Sequence, residues 1–174
     1  LRIHLGDCKT GSTAIQAALA AGRARPRDLV LAYSVARGAA SHAPLAASLL
    51  PGRPAGAPGP ERRFAALARR LRGLEADVAV ISAEWFEFVD PMRLREALET
   101  ALPELAGEAR LVSYVRPHAG RLVSSWRERL RNGTWEGGLE GFAERLEAEG
   151  RLRVAPRLAR WREAFGARWE ARPY

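Results

Sequence analysis

The sequence predicts an α/β domain of three layers, with helices on both faces of a central parallel sheet. Three observations carry this. Short apolar runs alternate with segments of helical period along the 174 residues, as strands joined by crossover helices do. Residues 77–82 hold the unbroken apolar run Val-Ala-Val-Ile between Asp77 and Ser82, the pattern of a strand buried on both faces. The chain opens with a strand, a loop of small residues and a helix, joined with almost no linker.

Length and composition fit one domain, long enough to bury a core. The chain is 47% hydrophobic and 28% charged, which excludes a disordered class. Its single cysteine, Cys8, cannot form an internal disulfide, and no metal-ligand spacing is present, so no metal is expected. No apolar run reaches the roughly 20 residues of a membrane span, and the start lacks the basic-then-apolar order of a leader. A soluble cytoplasmic protein is expected. The net charge of +8 points to an anionic partner. The arginines are spread over several predicted helices instead of forming one block, without an aromatic RNA motif, which argues against nucleic acid.

Taken in order, Leu1, Ile3 and Leu5 alternate with polar residues as a short strand. A helix follows over residues 10–21, with Ile15 and Leu19 as its apolar stripe. Residues 28–33 read as a second short strand. Ser41 is a fair N-cap for a helix through Leu49. The Pro/Gly stretch 51–60 is irregular, a surface loop expected to be mobile and no domain boundary. Residues 61–74 form an amphipathic helix with Phe64, Leu67, Ala68, Leu71 and Leu74 on one face. After the strand at 77–82, Pro91 opens a helix to Leu102. Residues 109–115 are a further strand, and a helix from His118 to Arg131 stops at Asn132-Gly133. Two more helices span 141–149 and 156–165, and 168–174 begins another strand.

In a parallel sheet, ligands bind at the carboxyl ends of the strands. Three loops lie there. The first, from Gly6 to Thr13, supplies glycine, small hydroxyls and a lysine ahead of a helix, which makes a phosphate-binding loop. Its backbone N–H groups, the helix dipole and Lys9 all favour an anion. Among 28 Lys and Arg residues, Lys9 alone is lysine. A compact, rotatable point charge fits a tight turn where the arginine fork does not. The nucleoside-triphosphate loop places its lysine after the second glycine. Here Gly6 and Gly11 keep that glycine spacing, but Lys9 precedes Gly11, and Ser12 and Thr13 follow it.

The order Lys9-Thr10-Gly11-Ser12-Thr13 resembles the 5′-phosphosulfate loop of the sulfotransferases that use 3′-phosphoadenosine 5′-phosphosulfate (PAPS). A second stretch strengthens the likeness. Arg116 ends a strand, and Ser124 follows eight residues later on the next helix, as in the 3′-phosphate site of those enzymes. The resemblance spans the whole chain and is nearest to a bacterial branch with a Ser-x-Glu strand end, here Ser82-Ala83-Glu84. It implies the sulfotransferase version of the P-loop NTPase-like fold, PAPS as sulfuryl donor, and a hydroxyl or amine acceptor that is a small molecule, glycan or lipid. By the same resemblance Lys9, Thr10, Gly11, Ser12 and Thr13 bind the 5′ end, with Lys9 also catalytic. Arg116 and Ser124 bind the 3′-phosphate, and Glu84 is the general base, desolvated by Trp85, Phe86 and Phe88. His42 and His118 are rival bases. Cys8 has no partner placed to make it a nucleophile and is expected to be a small filler. Members of the family continue past the equivalent of Tyr174, so the resemblance implies a chain truncated at its carboxyl end or a reduced member. Two other readings stand beside this one: a nucleotide or small-molecule kinase with a divergent loop, and a non-catalytic binder of anionic glycan or nucleic acid.

Overall fold

The computed structural model describes every residue except Asp7, Lys9, Arg25, Arg27, Arg37 and Arg53. Five strands form the sheet: β1 (Arg2–His4), β2 (Leu31–Ala32), β3 (Val78–Ser82), β4 (Arg110–Val115) and β5 (Trp169–Pro173). They lie in the order β2-β3-β1-β4-β5, and every pairing is parallel. The first strand is therefore central. Its carboxyl end lies between those of β3 and β4, which brings the three loops singled out in the sequence into one row.

The helices are α1 (Ser12–Ala20), α2 (Ala43–Leu49), α3 (Pro60–Arg72), α4 (Pro91–Ala101), α5 (Pro103–Ala106), α6 (His118–Arg131), α7 (Leu139–Ala148) and α8 (Val154–Phe165). Each of α3, α4 and α5 starts on a proline, whose missing N–H costs nothing in a first turn. Asp90 caps α4 by accepting from the Met92 N–H at 2.8 Å. One face of the sheet carries the main core. There Ile3, Leu5, Ile81, Leu111 and Trp169 pack with Leu45 and Leu49 of α2, Phe64 and Leu67 of α3, Leu94 and Leu98 of α4, and Trp161 and Phe165 of α8.

Three local expectations change. The buried face of α1 is polar: Ser12 and Gln16 face inward, while Ile15 and Leu19 are half-buried. The reason lies beneath the helix, where the parallel register sets His4 of β1 beside Ser82 of β3. His4 Nδ1 and Ser82 Oγ are 2.8 Å apart, and Gln16 Nε2 donates to Ser82 Oγ at 3.2 Å. Second, α3 ends at Arg72 and Leu74 lies beyond it, 47% exposed. Third, Pro60 belongs to α3; the described part of 51–59 is irregular, as expected. Beside α1 the second face of the sheet is an open groove of about 620 Å³, bordered by His4, Ile15, Leu19, Val112 and Tyr114. No helix among the described residues is long and apolar enough to cross a membrane.

Candidate functional site at the carboxyl ends of β1, β3 and β4

The loop after β1 turns on two glycines in the left-handed region, Gly6 at φ +60° and Gly11 at φ +70°. Both are required by space as well as conformation. A Cβ on Gly6 would stand 2.9 Å from the Glu84 Cα and 3.0 Å from Ser12 Oγ. The first loop thus presses directly on Glu84, two residues past the end of β3. A Cβ on Gly11 would meet the Tyr174 ring at 3.2 Å.

Gly11 is also the N-cap of α1, and no side chain among the described residues caps the helix. The positive end of its dipole opens toward the loop. Ser12 is only 2% exposed, and its hydroxyl has no hydrogen-bond partner among the described residues. A buried hydroxyl without a partner costs stability, unless a ligand supplies the missing bond. An anion seated on the helix end would do so. Thr10 is buried beneath the loop and Thr13 is exposed. Lys9 lies outside the described residues.

The loop after β3 begins with Ala83 and runs into a 3₁₀ helix, Glu84–Phe88. Glu84 is half-buried and borders a cavity of about 270 Å³ with Cys8, Trp85, Phe88, His118 and Arg121. The expected aromatic shield is partial. Phe86 is fully buried in the core, but Trp85 and Phe88 are 44% and 45% exposed, because the tight 3₁₀ turn points them at the cavity and solvent. They line the space instead of sealing the carboxylate. The Cys8 thiol is pushed well above its usual range, first by burial and then by the neighbouring Glu87 and Glu84 carboxylates. It stays protonated, which agrees with a space-filling role.

The loop after β4 starts with Arg116 and Pro117, and α6 follows. Arg116 and Ser124 line one open cavity of about 560 Å³, together with Arg127 and Arg131. The absence of a Cβ at Gly120 makes room for the Arg116 guanidinium, whose Nε would lie 3.0 Å from that atom. The guanidinium also sits over the Tyr174 ring, 5.5 Å from its centre. Tyr174 therefore touches both the Gly11 turn and Arg116, a bridge that sequence reasoning missed. Its N–H bonds to the Val115 carbonyl at 3.0 Å, so β5 pairing delivers it there.

His42 is placed differently from the other rival, His118. Its Nδ1 accepts the Ser82 N–H at 3.1 Å, so the proton sits on Nε2, which donates to the Ser34 carbonyl at 3.1 Å. Its ring meets Tyr33 edge-on. His118 donates from Nε2 to the Leu152 carbonyl at 2.8 Å and borders the Glu84 cavity.

Burial lowers both His4 and His42 to about 4. A lowered folded-state value means that the unfolded chain binds protons first as pH falls. The fold is thus most stable above pH 6.5 and loses stability as pH drops from there toward 4. Each histidine contributes a slope of up to about 1.4 kcal/mol per pH unit in that window. Urea titrations between pH 7.5 and 4.5 should show the midpoint falling, and His4→Gln should reduce the slope. A flat profile over that window would contradict the burial of both rings.

No protein-family model matches the chain, and no curated protein does. Among solved structures, a sulfotransferase from Alicyclobacillus acidocaldarius superposes with a TM-score of 0.58. The match covers 99% of this chain and 72% of that one at 16% identity. The chain shares its fold with a sulfotransferase. At that identity the likeness is one of architecture, and the chemistry has to be argued from the residues. In this sulfotransferase fold, the loop of Gly6–Thr13, the Glu84 turn and the Arg116 turn sit side by side because β1 is the middle strand. The 3₁₀ helix between β3 and α4 adds Glu87, a buried carboxylate that the sequence reading passed over.

Proposed function

We propose that this protein is a PAPS-dependent sulfotransferase acting on a hydroxyl or amine acceptor. The observation that carries the reading is the buried Ser12 hydroxyl on the end of α1, with no partner and no side-chain cap among the described residues, flanked by a half-buried glutamate and an arginine–serine cavity. These residues suit a donor with phosphate at both ends. PAPS would supply an activated sulfuryl group, so the protein's task is positioning and charge stabilisation.

The N–H groups of Gly11 to Thr13 and the Ser12 hydroxyl hold the 5′-phosphate on the helix end. Lys9 neutralises negative charge as it gathers on the leaving oxygen. Arg116 offers its fork to the 3′-phosphate, and Ser124 adds a hydroxyl donor. Tyr174 lies between these two sites and packs against the nucleoside. Glu84 takes the proton of the acceptor, which enters through the 270 Å³ cavity beside it. Trp85 and Phe88 give that entrance an apolar lining. A kinase reading lacks the lysine after the second glycine that would grip a triphosphate.

A thermal-shift panel tests this. Adenosine 3′,5′-bisphosphate at a hundredfold excess over Kd should stabilise the protein by about 2.7 kcal/mol. Adenosine 5′-monophosphate, without the 3′-phosphate, should do much less. Equal shifts would remove Arg116 and Ser124 from the nucleotide site. A larger shift from ATP with Mg²⁺ would favour the kinase, and a shift from heparin alone would favour a glycan-binding surface.

A further inference from the structure

We infer that Glu87 is a positioning residue that ties the phosphate loop to the wall of the acceptor cavity. The local geometry begins with the 3₁₀ helix. Three residues per turn bring side chains at i and i+3 into line, so Glu84 and Glu87 emerge on one side. That side faces the first loop: Glu84 abuts Gly6, and Glu87 Oε2 accepts the Cys8 N–H at 2.9 Å. The bonded amide belongs to the residue immediately before Lys9.

The other carboxylate oxygen takes two arginines. Arg121 of α6 pairs with Oε1, and Arg157 of α8 does so at 2.9 Å. Glu87 is 6% exposed, so these bonds are made in a desolvated place where directional contacts count most. Arg121 lines the same cavity as Glu84. One buried carboxylate therefore connects the donor loop, the acceptor wall and α8. Arginine side chains are long and can follow a displaced carboxylate. The Cys8 amide, fixed in the backbone, cannot.

That difference makes the inference testable by two variants that a plain ion-pair role ranks in the opposite order. Glu87→Gln keeps the length and an oxygen for the Cys8 N–H but loses the charge. Glu87→Asp keeps the charge but falls short of the amide. Hydrogen exchange of residues 6–11 in the ligand-free protein, read against β1 and β3 as internal standards, is the primary measurement. Glu87→Asp should exchange about tenfold faster over residues 6–11 with the strands unchanged, and Glu87→Gln should match the wild type there. Faster exchange in Glu87→Gln, unchanged exchange in Glu87→Asp, or failure of both variants to fold overturns the inference. If Glu87→Asp alone fails to fold, the exchange of Glu87→Gln decides. A second arm rests on the sulfotransferase reading: Glu87→Asp should bind adenosine 3′,5′-bisphosphate about tenfold more weakly but adenosine 3′-monophosphate as the wild type does. Equal weakening of both ligands overturns the inference. Absence of any nucleotide binding by the wild type would remove that reading, while the exchange data still decide the role of Glu87.

Discussion

Glu84→Gln is expected to lower turnover by about 10²–10⁴, the usual worth of a positioned base, and to leave adenosine 3′,5′-bisphosphate binding near wild type. The amide keeps the shape of the side chain, and the tight contact with Gly6 is made by the Glu84 Cα and Cβ, which the substitution does not alter. The donor loop should therefore keep its form. On the proposed reading, what disappears is the group that takes the acceptor proton, and with it the acidic limb of the pH–rate profile. Turnover would be followed with labelled PAPS against a panel of alcohols, amines and glycans. Survival of activity would move the base elsewhere. His118, which borders the Glu84 cavity, is then the next residue to change. His42 is poorly placed, since backbone partners engage both of its ring nitrogens.

Lys9→Ala should reduce kcat by about 10²–10³, the scale of removing a donor aimed at a developing negative charge. Binding of the product nucleotide should fall much less, because on the proposed reading the charge that Lys9 meets is greatest in the transition state. Lys9→Arg should rescue poorly. A planar, bulky fork does not replace a compact, rotatable point charge between small loop residues. Full activity in Lys9→Arg would contradict the argument from the lone lysine.

The sheet and the three loops were legible in the sequence for a simple reason. Apolar strands, glycine turns and proline-led helices are set by neighbouring residues, and β1, β3, α3, α4 and α6 form near their expected positions. The polar face of α1 was not legible. Ile15 and Leu19 give the helix an apolar stripe, and only the register of β1 against β3 shows that Gln16 has a better place beneath. Glu87 escaped for a similar reason: the partners that define it, Cys8, Arg121 and Arg157, come from three distant segments. A 3₁₀ reading of Glu84–Phe88 would have put Glu84 and Glu87 in line and marked the second carboxylate. Tyr174 was read only as part of a strand, and its contacts with Gly11 and Arg116 come from β5 pairing with β4.

The polar seam beneath α1 bears on how such a protein could change its substrate. A helix held by apolar contacts can rotate or slide by a fraction of a turn at little cost. Gln16, Ser82 and His4 are joined by directional bonds, so the helix that presents the phosphate loop has one angular setting. By contrast α6, which borders the Arg116–Ser124 cavity and the Glu84 cavity, has no fully buried residue. Apart from Arg121, which is tied to Glu87, substitutions on its side of the Glu84 cavity disturb little core packing. The fold thus pairs one helix held in place by a polar seam with another whose surface can vary at low risk to the core.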